Sequence, residues 1–158
     1  GLNFMKYFLF LASLALLLTA SHDNARECYT PDEVRAEQLI RIHSELMVVG
    51  LNCQHRANLT DAYQEYKRFT NQHAYLLEQQ DGVMETFYTS NGTPKPSRAV
   101  HNFRTSIVNK IASDAAIRPD GFCATYGSRL NFARGLNTQQ LMKWASSYPI
   151  SKPLCGQY

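Results

Sequence analysis

Four cysteines constrain this chain more than any other feature: Cys28, Cys53, Cys123 and Cys155. The first two flank a segment that reads as one long helix. Thr30-Pro31-Asp32-Glu33 is a capping box with proline at the first helical position, and its two acids suit the positive end of the helix dipole. Leu39, Ile42, Leu46, Val49 and Cys53 then recur at steps of 3, 4, 3 and 4 as one apolar stripe, which Val34, Ile40, Met47, Val48 and Leu51 widen. A helix of about 22 residues rises roughly 33 Å, whereas a disulfide needs Cα atoms within about 7 Å. Cys28 with Cys53 is therefore excluded, and Cys123 with Cys155 falls with it. Two pairings remain. We favour Cys53 with Cys123, stapling the end of the first helix to a later one, and Cys28 with Cys155, tying the chain ends together. Each crosslink is expected to contribute about 2–4 kcal/mol. The wide spacing of the four, with no C-x-x-C and no C-x-x-C-H, argues for structural disulfides over zinc, covalent haem or a redox dithiol.

The start of the chain sets the compartment. Met5-Lys6 leads into an apolar run from Tyr7 to Leu18, interrupted by Ser13 and followed by Thr19-Ala20-Ser21. A charged start, a short apolar stretch and small residues are the parts of a secretory signal. The run has 12 residues, short of the roughly 20 that a bilayer-spanning helix needs. We read residues 1–21 as a signal peptide, with residues 1–4 upstream of the start methionine and set aside from fold reasoning. Residues 22–158 form one helical domain with an extended tail from about residue 148. The expected location is periplasmic or secreted, with no membrane span after signal cleavage, where the cysteines can oxidise.

The rest reads as helices. A second runs from Asn58 or Thr60 to about Phe87, with Tyr66, Phe69, His73, Leu76, Gln80, Val83 and Phe87 on its seam. Asn91-Gly92-Thr93-Pro94 marks a loop, and Ser97 caps a third helix carrying Val100, Phe103, Ile107 and Ile111. Arg118-Pro119-Asp120-Gly121 breaks that helix. A fourth covers Phe122 to Ala133, and Asn137-Thr138 opens a fifth through Leu141, Trp144 and Ala145. No strand-like alternation, internal repeat or low-complexity linker appears. The predicted fold is all-α: a single-domain bundle of about five helices, stapled by disulfides. Gly50, inside the first helix, suits close approach by a neighbour at a cost of about 1 kcal/mol relative to alanine.

Charge is split along the chain. From His22 to Glu85 there are 11 acidic and 6 basic residues, and from Thr86 to Tyr158 there are 2 acidic and 9 basic. Antiparallel helices from the two halves would neutralise each other. The functional alternative is a basic face for an anionic envelope component or another exported protein. Nucleic acid fits poorly with so small a net charge.

No stretch carries a catalytic or cofactor motif: there is no H-E-x-x-H and no G-x-S-x-G. Neither an enzyme activity nor a cofactor is expected. The carboxylate pairs Glu78/Asp81 and Glu33/Glu37 read as solvated faces. His43 and Glu45 lie two apart on different faces of the first helix. His43 and Met47 share a face, but haem ligands in bundles come from separate helices. His73, facing the predicted core with Tyr66 and Gln80, is the candidate ligand pocket, either as a polar spot inside the bundle or as a buried histidine bonded to tyrosine or glutamine. Trp144, Tyr148 and Tyr158 are candidates to line a groove. Asn58-Leu59-Thr60 and Asn91-Gly92-Thr93 match the glycosylation pattern, although both asparagines also suit caps and turns.

The run His43-Ser44-Glu45-Leu46-Met47-Val48-Val49-Gly50-Leu51-Asn52-Cys53 resembles the signature of a group of small exported bacterial proteins, chiefly alphaproteobacterial, with no assigned activity. The run from Asn102 to Ala112 and Phe122-Cys123 resemble the same group, so the likeness covers about Cys28 to Ala133. It implies an exported location and the Cys53–Cys123 pairing, and it transfers no catalytic residue. The function expected from the sequence is that of a binding or interaction module of the cell envelope. The alternatives are a small-molecule carrier with a cavity in the bundle and an enzyme of unrecognised type.

Overall fold

The computed structural model describes residues 25–156; the expected signal peptide and Tyr158 lie outside them. Seven helical segments follow one another: α1 Pro31–Cys53, α2 Ala62–Gln72, α3 Ala74–Ser90, α4 Pro96–Ile117, α5 Pro119–Tyr126, α6 Ser128–Arg134 and α7 Thr138–Ala145. No strand occurs among the described residues, where the one β feature is an isolated bridge between Tyr29 and Leu154. No described helix is long and apolar enough to cross a membrane.

The bundle is built around α1. Its capping box forms as read: Thr30 accepts from the Glu33 amide, and the Glu33 carboxylate accepts from the Thr30 amide. Burial on more than one side makes α1 an axis. Leu39, Ile42, Leu46 and Val49 join Phe69 of α2, Leu130 of α6 and Leu141 of α7 in one apolar core. Ala36 and Ile40 join Tyr29, Met84 and Phe87 of α3, and Val100 and Ile107 of α4 in a second. Both cores are sealed by rings; Tyr29 meets Phe87 edge-on at 4.9 Å.

Two of the expected helices are each broken. The predicted second helix stops at Gln72 and restarts at Ala74, with His73 at φ −110° and ψ 16° between. Geometry supplies the reason. A straight helix from Ala62 to Ser90 would be about 44 Å long and α1 only about 34 Å, so a break lets both halves pack on α1. Phe69, Gln80 and Phe87 stay buried across it. The predicted fourth helix divides at Gly127, where Leu59 of the α1–α2 loop packs so closely that a Cβ would lie 2.5 Å from its Cδ1. Ser97 does not cap α4: the helix starts at Pro96, and the Ser97 hydroxyl donates to Glu85. The Glu33/Glu37 pair is not a solvated face either. Both side chains are buried, Glu37 completely.

Two crosslinks close the fold. Cys53 is bonded to Cys123 (Cα–Cα 5.6 Å) and Cys28 to Cys155 (5.0 Å). The second delivers the tail to the start of α1. The Tyr29 amide donates to the Pro153 carbonyl and the Cys155 amide to the Tyr29 carbonyl, each at 2.8 Å. Glu37 then fastens the tail, accepting from the Ser151 amide at 2.8 Å and from the Ser151 hydroxyl at 2.6 Å. The acidic and basic halves meet as ion pairs: Arg104 with Asp81, Arg129 with Glu45, Arg134 with Glu65, Arg56 with Asp120 and Lys152 with Glu27.

Candidate binding cleft

The returning tail runs beside α1 and faces α4, and the space between becomes an open cleft of about 870 Å³. Apolar residues on successive turns of α4 (Phe103, Ile107, Ile111) form one wall. Phe122 and Tyr126 of α5 close one side, and Trp144 of α7 with Tyr148 of the tail closes another. The rings brace one another. Phe122 lies 4.9 Å from Tyr126, and Trp144 is held edge-on between Phe132 at 5.2 Å and Tyr148 at 5.7 Å. Rings packed in this way present their remaining faces without loose side chains to order on binding.

Polar groups of the cleft come from α1, α4, α6 and the tail. Glu45 Oε1 accepts from Arg129 Nη1 at 2.7 Å and from the Tyr148 hydroxyl at 2.9 Å, and the same Arg129 nitrogen lies 2.9 Å from the Tyr148 oxygen. Burial, reinforced by the Glu45 charge, pushes the Tyr148 phenol well above its ordinary pKa, so it remains a donor. Burial works to lower the Arg129 pKa, but the bond and charge attraction to Glu45 outweigh it and raise the value. Its guanidinium also lies over the Tyr126 ring, 4.9 Å from the centroid. Arg41 is held by buried Glu37 through Nε (2.8 Å) and Nη2 (2.5 Å) and sits 5.9 Å from the Phe103 centroid. The two carboxylates that line the cleft, Glu45 and Asp114, are each paired with an arginine, Arg129 and Arg118.

The three residues expected to form an internal pocket acquire different surroundings. Tyr66 bonds His43, its hydroxyl 3.1 Å from Nε2. His73 is buried at the α2–α3 break against the Phe69 ring at 5.0 Å, and neither ring nitrogen lies within hydrogen-bonding geometry of a partner among the described residues. Burial lowers its pKa. Gln80 donates to the Leu76 carbonyl of its own helix at 3.1 Å and lines a separate open depression with Asp32 and Arg35. The cleft between α1, α4 and the tail includes none of the three.

The histidine bonded to a tyrosine is therefore His43. Two neighbouring helices reach it: Tyr66 and Thr70 of α2 both lie 3.1 Å from Nε2, and Arg104 of α4, itself paired with Asp81 of α3, lies 3.0 Å from Nδ1. Because Arg104 can only donate, Nδ1 must accept and Nε2 carries the proton. Burial and then the Arg104 charge push the His43 pKa down to about 4. With both nitrogens occupied, His43 has none left to ligate a metal beside Met47. No group of three or more His, Cys, Asp or Glu suited to a metal ion occurs among the described residues. Asn91 is likewise engaged, accepting from the Arg26 amide at 3.0 Å and donating to its carbonyl at 3.3 Å.

Trp144 and Tyr148 were legible as groove candidates. Glu45, Arg129 and the α4 wall were not. The one sequence signal pointing to them is Cys155, which requires the tail to return toward Cys28 and so past the first helix. Compared with protein-family models, curated proteins and solved structures, the chain matches none.

Proposed function

We propose that this protein is an exported binding module of the cell envelope that performs no chemistry and takes its ligand in the cleft between α1, α4 and the C-terminal tail. The observation that carries the reading is the cleft itself: about 870 Å³, within the range of about 300–1,000 Å³ of small-molecule sites. It is walled by mutually braced aromatic rings, and its acids, Glu45 and Asp114, are already paired with arginines. Both disulfides and the absence of apolar spans among the described residues are consistent with export. Membership of the small exported bacterial group that the His43–Cys53 run resembles belongs to the same proposal.

The test is a fragment screen on the oxidised chain from residue 22, followed by amide and indole NMR shifts. Hits are expected to move the Trp144 indole and the amides of Lys110, Tyr126 and Tyr148 together. Hits that cluster elsewhere, or a library that leaves these signals still, would refute the cleft as the binding site. Recovery of the native protein from the cytoplasm with free thiols would refute export.

A further inference from the structure

We infer that the cleft selects amphipathic organic anions, ligands with an apolar or flat aromatic body and a single acidic head. This rests on the cleft being the binding site and adds the ligand's chemistry. Five charged side chains line the cleft: Arg41, Glu45, Lys110, Asp114 and Arg129. Four are already compensated. Arg41 is paired with Glu37, Glu45 and Arg129 with each other, and Asp114 with Arg118 at 2.9 Å. Lys110 has no ion-pair partner among the described residues, so one positive charge is left over. The segment between Glu85 and Asp114 holds no acidic residue and, with Arg104 paired to Asp81, keeps Lys95, Arg98 and Lys110 without ion-pair partners among the described residues, so α4 and its start carry net positive charge.

Hydrogen-bonding capacity leans the same way. Arg41 uses Nε and Nη2 on Glu37, and Arg129 uses Nη1 on Glu45 and Tyr148. Arg41 Nη1 and Arg129 Nε and Nη2 bond nothing among the described residues, so donors remain after the internal pairs are made. An acidic head can take them in charge-assisted bonds. An ammonium head would meet carboxylates that arginines already hold, and displacing those would expose an unpaired guanidinium. The body of the ligand is set by Phe103, Phe122, Tyr126, Trp144 and Tyr148, whose rings line the walls.

The experiment exploits the chain's single tryptophan, Trp144, which lies in the cleft. Three probes share one body and differ in the head: phenylbutyrate, phenylbutanol and phenylbutylamine. Each is titrated against the oxidised protein with Trp144 emission as the readout. Phenylbutyrate is expected to bind most tightly and to weaken as salt rises. Lys110→Gln is expected to weaken it by about threefold to fivefold, the size of one exposed ionic contact, while phenylbutanol is unaffected. Lys110→Glu is expected to reverse the order and favour the amine. Equal binding of the three probes, or a preference of the unmodified protein for phenylbutylamine, would overturn the anion assignment while leaving the cleft as a binding site. If none of the three perturbs Trp144, the assignment also falls.

Discussion

The crosslinks form nested loops, and this allows their separate removal to be worked out in advance. Cys28–Cys155 spans 127 positions and encloses Cys53–Cys123, which spans 70. While the inner bridge stands, the outer one closes only the difference, a loop of about 58 residues. The chain-entropy relation gives about 4 kcal/mol for each bridge when the other is intact. What separates them is packing. Cys53 and Cys123 are buried in the main core, whereas Cys28 and Cys155 are half-buried. Replacing the inner pair by alanine therefore adds a cavity and transfer loss of about 1 kcal/mol or more. We expect Cys53→Ala with Cys123→Ala to lower the stability measured in urea by about 5 kcal/mol, and Cys28→Ala with Cys155→Ala by about 4 kcal/mol or less. The two losses should also differ in kind. Without the outer bridge the tail keeps its bonds to Tyr29 and Glu37 but can open locally. Amide exchange at Ser151 and Cys155, whose N–H groups donate to Glu37 and Tyr29, should then accelerate far more than exchange in the core of α1. An outer-pair variant less stable than the inner-pair one, or one whose Ser151 and Cys155 amides exchange no faster, would refute this account of how the tail is held.

Three further outcomes follow from individual residues. Gly50→Ala places a Cβ 3.0 Å from Tyr66 Cβ and 3.3 Å from the Ala62 carbonyl oxygen. Neither neighbour is a flexible chain end, so overpacking of about 1–3 kcal/mol should outweigh the roughly 1 kcal/mol gain in helix propensity, and a more stable variant by thermal melting would contradict the packing argument. His43 titrates at about 4 in the folded protein against an ordinary value of 6.5. The unfolded chain then binds the extra proton between those values, so stability falls as pH drops from about 6.5 to about 4, at up to about 1.4 kcal/mol per pH unit. His43→Gln should flatten this difference in parallel denaturation series across that range, and identical slopes would show that the imidazole is not the group responsible. Tyr148→Phe removes the hydroxyl shared by Glu45 and Arg129 and should cost about 1 kcal/mol with an unchanged far-ultraviolet spectrum; a neutral substitution would mean that water replaces it without loss.

The sequence specified the elements whose signals are local. Thr30 to Glu33 determined where α1 starts, because a capping box is satisfied within one turn, and Asn137 with Gln140 does the same for α7. Apolar periodicity identified the buried stripe of α1 and that of the segment from Tyr66 to Phe87. Helix geometry alone ruled out a bridge between Cys28 and Cys53, since it depends on rise per residue and on nothing distant. Tertiary structure decided what depends on a neighbour far along the chain. Periodicity runs straight through His73, yet the helix breaks there, because α1 is too short to cover a continuous one. Glu37 looks solvated by spacing and is buried, because Ser151 and Arg41 supply its hydrogen bonds. Spacing places Tyr66 and Gln80 on one face with His73, but the Tyr66 hydroxyl takes His43 across the interface. The cleft is the extreme case: its walls come from α1, α4, α5, α6, α7 and the tail, and no local pattern in the residues between Arg41 and Ser151 indicates that these surfaces face one another. Local energetics select elements; long-range packing and two covalent crosslinks select which faces meet.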